Sequence, residues 1–281
     1  MNENELIIQF IDAYRSQSNL TQYISLIDSA KPFGLEYGNV YHSIRGADYI
    51  GGFRNKRILE MGGALPCSYV FQILKAGDWT AVEYKDNAQQ YAGHDDARYN
   101  YYDKGWHDFY QEWVTMYGKQ YDACYSIAAF EHIYDLAGCL NAIHSMLKDE
   151  GILYSYFSPI WSAPEGSHSC APSEISHLGA HRHLMFNYAS LQKFLINRCS
   201  VIPERANKLA ETLYRSRHIN RYTYEDYISI FESSRFRLKE IRPLGAVPFS
   251  ELYSHDVVEN IKSCHGKLST SCHGFEVILV K

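Results

Sequence analysis

The sequence lacks the features that mark several large classes of protein. Lysine and arginine do not outnumber the acids, because 27 basic and 32 acidic side chains give a formal net charge of -5 at pH 7. Nucleic acid and anionic membrane surfaces both favour basic faces, so we expect neither as a partner. No run of about 18 apolar residues occurs, and the stretch MNENELIIQFIDAYR has no basic region ahead of its apolar part. We therefore expect a cytoplasmic protein.

Cysteine pairs at metal-binding spacing are also missing. The seven cysteines are odd in number, widely spread and without a CxxC pair, unlike a secreted disulfide framework. A cluster of His168, Cys170, His177, His181 and His183 contains common zinc ligands, but its spacing matches no standard zinc pattern. We expect reduced cysteines and no metal site.

The pattern that is present is an alternation of strands and helices from Arg57 onward. Five segments read as strands: RILEM, TAVEY, residues 99–102, YDACYSIA and GILYSYFS. Helices are predicted between them over CSYVFQILKA, HDFYQEWVTMYG and residues 131–148. This alternation predicts a doubly wound parallel α/β sheet. FRLKEIRPL and GFEVILVK predict two further strands, which we expect to pair as an antiparallel hairpin at the sheet edge.

The remaining segments are predicted to lie outside the sheet. Residues 4–28 have the apolar spacing of two short helices. Residues 31–53 mix glycines with aromatics, which predicts an irregular covering segment. A loop after Ser158, a helical region to about Tyr214 and a helix over TYEDYISIFESS follow the fifth strand.

Ligands of an open α/β sheet bind beyond the carboxyl ends of the strands. Gly62 and Gly63 follow the first strand, and they can form a turn around a ligand or only a tight turn, since GGALP is not GxGxxG. Glu83 follows the second strand, 21 residues beyond Gly62, where an acid can accept hydrogen bonds from ribose hydroxyls or remain solvated. The combination indicates a cofactor that contains adenosine. The same rule adds Tyr84 and Ser126 as cofactor-binding candidates.

One long segment carries a resemblance to a known family. YDACYSIAAFEHIYDLAGCLNAIHSMLKDEGILYSYF, residues 121–157, resembles the fourth strand, helix and fifth strand of class I S-adenosyl-L-methionine-dependent methyltransferases. The GGALP turn is similar to that of a subgroup with a GGxLP first turn, linked to bacterial glycan or small-molecule modification. The resemblance covers residues 57–281 and implies a Rossmann-like seven-stranded sheet that closes with an antiparallel seventh strand.

The resemblance also implies a division of residues 57–281 and a set of cofactor contacts. Residues 57–158 would form the cofactor-binding half of the core, 159–235 an insertion that covers the acceptor, and 236–281 the closing strands. Residues 1–56 are expected to form an N-terminal helical lid from their position alone. Glu60, Gly62 and Gly63 would border the methionine part of S-adenosylmethionine. Glu83 would bind the ribose, Asp103 the adenine amino group, and Ala128 would lie near the sulfonium.

Methyl transfer requires an aligned acceptor and, where needed, a base. We rank His168 first and His132 second as the base, and either can instead be a structural histidine. Arg182, Arg217 and Arg221 are candidates for an anionic part of the acceptor, and Trp161 for a ring or sugar face; each can also serve only the surface or the lid.

The expected reaction is methylation of a small polar molecule, most simply a hydroxyl of a sugar or other metabolite, by an O-methyltransferase. Carbon or nitrogen methylation stays open. Two alternatives remain, a NAD-dependent oxidoreductase and a non-catalytic binding protein on the same fold. The sequence predicts neither the acceptor nor the oligomeric state.

Overall fold

A single seven-stranded sheet forms the centre of the protein. The computed structural model describes residues 37–84, 96–115, 118, 120–168, 181–245, 254–265, 269 and 271–281. The strand order is β3-β2-β1-β4-β5-β7-β6. The strands are β1 Arg57–Met61, β2 Asp78–Val82, β3 Tyr99–Tyr102, β4 Tyr121–Ile127, β5 Leu147–Phe157, β6 Arg237–Gly245 and β7 Cys272–Val280. The helices predicted over residues 4–28 lie outside the described residues.

All pairs from β3 to β5 are parallel, and β7 runs antiparallel to both β5 and β6. The predicted α/β sheet with an antiparallel seventh strand is therefore confirmed. The final hairpin also forms, with a refinement: β7 lies inside the sheet between β5 and β6, and β6 occupies the edge.

Helices cover both faces of the sheet. They are α1 Tyr37–Ile50, α2 Trp106–Thr115, α3 Leu136–Met146, α4 Tyr188–Cys199, α5 Pro203–Tyr214, α6 Tyr224–Ser233 and α7 His255–His265, with a π-helical turn at Tyr69–Ile73. Apolar side chains of α2, α3 and α6 pack on one face, and those of α1 and the π-helical turn pack on the other. Helices α4, α5 and α7 share a core of their own beside the sheet.

The expectation of an irregular segment over residues 31–53 is wrong where the structure describes it, since residues 37–50 form α1. Val40, Ile44 and Ile50 are buried at helical spacing. Gly46 marks a close approach: a Cβ atom there would lie 2.9 Å from the ring of Tyr125 and 3.1 Å from that of Tyr154. Gly46 therefore allows α1 to pack closely on the sheet. The prediction failed because it treated glycine only as a residue that breaks helices.

A buried ion pair fixes α1 to the sheet. Arg45 of α1 donates to a carboxylate oxygen of Glu276 in β7 at 2.8 Å, and the hydroxyl of Tyr154 donates to the other oxygen at 3.0 Å. Burial of a charge is costly unless it is paired and hydrogen-bonded, and Glu276 meets both conditions. The ion pair therefore sets the position of α1 over β5 and β7.

The helix predicted over residues 131–148 is shorter than expected. Residues 130–135 form turns, and α3 begins after Asp135, whose side chain accepts a hydrogen bond from the Gly138 N–H at 2.9 Å. At the other end, Leu147 already belongs to β5. Residues 130–135 are therefore not helical, and some of them contribute to the candidate functional site.

Among the described residues, no helix is both long and apolar enough to cross a bilayer. Cys124, Cys139, Cys199 and Cys272 have free thiols, whereas Cys170 and the side chain of Cys264 lie outside the described part of the structure. Within the same residues no group of three or more His, Cys, Asp or Glu side chains is arranged to hold a metal ion.

Candidate functional site

The side chain of Glu60 holds the turn after β1 in place. This side chain is buried, and its Oε2 accepts hydrogen bonds from the Leu65 N–H at 2.9 Å and from the Trp79 indole N–H at 2.7 Å. Burial outweighs these hydrogen bonds and raises the pKa of Glu60 to about 7. The contacts of Glu60 are thus with the protein itself, and they fix the path of residues 60–65.

The two glycines of this turn are both required by close contacts. Gly62 has φ +79°, and a Cβ atom on it would lie 2.2 Å from the Cβ of Ala129 in the loop after β4. A Cβ atom on Gly63 would lie 2.7 Å from Oε1 of Glu60. The turn therefore lies directly against the loop after β4 on one side and against its own supporting carboxyl group on the other.

A cavity of about 710 Å³ opens at the carboxyl ends of β1, β2 and β4. It brings together six of the predicted site residues, Gly62, Glu83, Tyr84, Ala128, His132 and Arg217. The rest of its lining comprises Met61, Val82, Lys104, Gly105, Trp106, Ala129, Ile133, Tyr134 and His218. Its volume lies within the range of small-molecule and cofactor sites.

Glu83 and Tyr84 line the cavity directly after β2. An oxygen of the Glu83 carboxylate accepts a hydrogen bond from the Tyr84 N–H at 2.7 Å, and its backbone carbonyl accepts one from the Tyr101 hydroxyl at 2.8 Å. These bonds fix the backbone at the strand end. Asp103, the corresponding residue after β3, is exposed and is not part of the lining formed by the described residues.

The end of β4 contributes one structural and one lining residue. The buried Ser126 hydroxyl donates to the Met61 carbonyl oxygen at 2.8 Å and so ties β4 to β1. Ala128 has φ +51° and is exposed at the cavity. Ser126 therefore positions the two strand ends, whereas Ala128 presents a small side chain to the cavity.

His132 has a defined tautomer at the cavity wall. Its Nδ1 lies 2.7 Å from the carbonyl oxygen of His218. A carbonyl oxygen only accepts, so Nδ1 carries the hydrogen and Nε2 keeps its lone pair. A neutral imidazole in this state can accept a proton at Nε2.

His168 stands next to His132 but in a different environment. The two ring centroids are 4.9 Å apart, and Nε2 of His168 donates to the Pro159 carbonyl oxygen at 2.6 Å. Burial lowers the pKa of His168 to about 4, so the ring is a weak base. His168 also does not belong to the cavity lining formed by the described residues. The geometry thus favours His132 over His168, which reverses the order expected from the sequence.

Residues 216–221 form a loop that is fastened to the loop after β4. The Asn220 side-chain amide donates to the carbonyl oxygens of Phe130 at 2.6 Å and Ile133 at 3.1 Å. Arg221, expected to bind the acceptor, instead donates to the Ser216 carbonyl oxygen at 2.9 Å and closes the loop on itself. The pairing of these two loops places Arg217 and His218 at the cavity.

The comparisons with known proteins return structures and no sequence family. No family model and no curated protein matches the sequence. A solved S-adenosylmethionine-dependent methyltransferase from Mesorhizobium loti is similar at 12% identity over 85% of this chain and 98% of that chain, with a TM-score of 0.47.

Two further structures show similar values. One is a SAM-dependent methyltransferase from Archaeoglobus fulgidus, at 14% identity over 90% of this chain and 97% of that chain, with a TM-score of 0.44. The other is the plantazolicin methyltransferase BpumL in complex with SAH, at 14% identity over 96% of this chain and 93% of that chain, with a TM-score of 0.43. Identities and TM-scores at this level carry no argument, so the class of the fold follows from the strand order and directions alone.

The other predicted acceptor residues lie away from the cavity. Trp161 is buried in the core shared by α4, α5 and α7, with its ring 4.7 Å from that of His183. Its carbonyl oxygen accepts a hydrogen bond from Nε2 of His183 at 2.6 Å. Trp161 therefore has the contacts of a residue that packs the core shared by these helices. The side chain of Arg182 is outside the described part of the structure.

Glu131 is a buried acid that the sequence pattern did not single out. It precedes His132, is 1% exposed, and its Oε2 has no hydrogen-bond partner. Burial outweighs hydrogen bonds from the backbone of Glu131 and Ser158 and raises the pKa of Glu131 to about 8. The raised pKa favours the protonated side chain at neutral pH, and Glu131 adjoins His132 of the cavity lining in the sequence.

Proposed function

We propose that the protein transfers a methyl group from S-adenosylmethionine to a hydroxyl group of a small polar acceptor, such as a sugar or another metabolite. The observation that carries the proposal is the cavity at the carboxyl ends of β1, β2 and β4, which joins Gly62, Glu83 and Ala128 to a histidine of defined tautomer. Ligands of open α/β sheets occupy this position.

The lining suits an adenosine-containing cofactor. Gly62 lets the backbone approach a ligand closely, since residue 62 has a positive φ and no space for a Cβ atom. Glu83 supplies carboxylate oxygens that accept hydrogen bonds from ribose hydroxyls. Ala128 leaves room beside the end of β4. The bound cofactor supplies an electrophilic methyl group, and the residues of this chain bind and orient it.

The acceptor needs alignment and removal of its proton. Nε2 of His132 accepts the proton of the acceptor hydroxyl, because Nδ1 is already committed to the His218 carbonyl oxygen. The same bond keeps the imidazole ring from rotating. His168, held neutral and bonded to Pro159, supports the ring of His132 from the side.

Calorimetry with S-adenosylhomocysteine and with NADH tests the cofactor. We expect S-adenosylhomocysteine to bind and NADH not to bind. Glu83→Ala should abolish binding, whereas Glu259→Ala, which removes an exposed carboxylate on α7, should leave it unchanged. Binding of NADH alone would reverse the assignment, and unchanged affinity in Glu83→Ala would remove the ribose role.

Mass spectrometry tests the reaction. The protein is incubated with labelled S-adenosylmethionine and a panel of sugars, sugar nucleotides and other metabolites, and products are searched for the gain of one methyl group. His132→Ala should keep S-adenosylhomocysteine binding and lose turnover. His168→Ala, which removes only a supporting ring, should lose less turnover than His132→Ala; the opposite result would restore His168 as the base.

A further inference from the structure

Arg217 carries a charge that no carboxylate of the described residues balances. Its guanidinium group lies 5.1 Å from the ring centroid of Tyr134, and both side chains line the cavity. Several other arginines of the described residues are paired with acids, as Arg45 is with Glu276 and Arg215 with Glu211. A guanidinium group stacked on an aromatic ring keeps its donors free for a planar or tetrahedral anion.

The charges around the cavity are separated. Glu83 lies at the end of β2, whereas Tyr134 follows β4, and β1 runs between these two strands. Lys104 also lines the cavity but is paired with Glu112. The side of the cavity that holds His132 therefore presents the free positive charge of Arg217 and no carboxylate among its described lining residues.

The position of Arg217 relative to the base is fixed by the loop that carries it. His218, the next residue, accepts the hydrogen bond from Nδ1 of His132. Asn220 joins the same loop to the backbone of the loop after β4, and Arg221 closes it at Ser216. A group held by the guanidinium of Arg217 is thus held at a set distance from the imidazole of His132.

We infer that Arg217 binds an oxyanion, a carboxylate or a phosphate, on the acceptor whose hydroxyl meets His132. The inference rests on the proposed function and narrows its substrate class to anionic hydroxyl compounds, such as sugar phosphates or sugar acids. Tyr134 holds the guanidinium plane in place, and the fork of N–H donors matches two oxygens of the anion.

Paired acceptors test the substrate class. With S-adenosylmethionine present, methyl transfer is measured for glucose against glucose 6-phosphate and for methyl glucoside against glucuronate. The anionic member of at least one pair should have a kcat/KM roughly tenfold to hundredfold higher, as a charge-assisted hydrogen bond provides. The phosphate and carboxylate pairs show which anion is preferred. Equal values within both pairs would overturn the inference.

Substitutions of Arg217 test whether this residue causes the preference for anionic acceptors. Arg217→Ala should remove the preference for the anion, Arg217→Lys should keep part of it, and Arg217→Glu should reverse it. Arg215→Ala is the matched control, because Arg215 is two residues away and lies over Tyr188 rather than Tyr134. A preference that survives in Arg217→Ala, or disappears in Arg215→Ala, would contradict the assignment.

Binding of inorganic phosphate separates this inference from the proposed function. Chemical shifts of the backbone amides are followed during a phosphate titration of the wild-type, Arg217→Ala and Arg215→Ala proteins. If Arg217→Ala weakens phosphate binding and Arg215→Ala does not, the anion site is supported. This holds even if S-adenosylhomocysteine does not bind, a result that would overturn only the proposed function. If S-adenosylhomocysteine binds but all three proteins bind phosphate equally, the proposed function is supported and the anion site is overturned.

Discussion

Gly62 and Ala129 both line the cavity, and they lie so close together that no side chain fits between them. A Cβ atom on residue 62 would stand 2.2 Å from that of Ala129, well inside the contact distance of two carbon atoms. The distance between the turn after β1 and the loop after β4 is therefore fixed by this contact, and a larger residue at position 62 would force the two apart.

Gly62→Ala is expected to destabilise the protein by more than the cost of its positive φ, which is roughly 1–2 kcal/mol. The added contact with Ala129 should contribute about 1–3 kcal/mol more. Gly52→Ala is the control, because Gly52 has φ +75° and a Cβ atom on it would meet nothing within 4 Å. Urea denaturation of the two variants gives the difference, and equal losses of unfolding free energy would show that Ala129 moves away freely.

Helix α1 offers a second matched pair of glycines. Gly46→Ala places a methyl group against the buried rings of Tyr125 and Tyr154, whereas Gly38→Ala meets nothing within 4 Å. We expect Gly38→Ala to be neutral or to stabilise by up to about 1 kcal/mol through helix propensity. Gly46→Ala should instead destabilise by about 1–3 kcal/mol. Denaturation midpoints measure both, and a stabilising Gly46→Ala would mean that α1 does not pack closely on the sheet.

Glu131 gives a prediction about pH. Its pKa is about 8 in the folded protein, against an ordinary value of 4.5. Between these values the folded state keeps a proton that the unfolded state has lost, so the free energy of unfolding falls as pH rises from 4.5 toward 8. The slope from this one group is at most roughly 1.4 kcal/mol per pH unit. Below pH 4.5 both states are protonated and the contribution of Glu131 is fully present.

Glu131→Gln keeps the shape of the neutral acid and removes the titration, so its stability should exceed that of the wild type increasingly from about pH 5 to pH 8. The buried histidines act in the opposite direction. His168 and His183 have pKa values lowered to about 4, and they add stability as pH rises from 4 to their ordinary 6.5. They are present in both proteins and cancel in the difference. Parallel stability curves for the two proteins would refute a buried protonated Glu131.

The sheet was predictable because its signals are local. The strands β1, β4, β5 and β7 are short apolar runs, and each is followed or preceded by a recognisable turn. The rule that ligands bind beyond strand ends also found part of the cavity lining, including Gly62, Glu83 and Ala128. It could not tell which strand-end side chains face the cavity. Glu60 and Ser126 lie near strand ends, yet both are buried in contacts between elements.

The rest of the site depends on contacts between distant parts of the chain. His132 and His218 are separated by 86 positions, and Asn220 and Phe130 by 90. No periodicity within either segment indicates that they meet. The sequence placed arginines and histidines in these loops, but only the packing of one loop on the other shows that Arg217 is free while Arg221 is committed to the backbone.

The place of β7 has a consequence for how the chain assembles. It follows β6 in the sequence but lies between β5 and β6. During synthesis β6 therefore has no place in the sheet until β7 emerges, and β5 presents a row of unpaired N–H and C=O groups in the meantime. Such an edge can recruit a strand from another chain. The growing polypeptide is thus open to association with neighbouring chains until β7 inserts and shields the open side of β5.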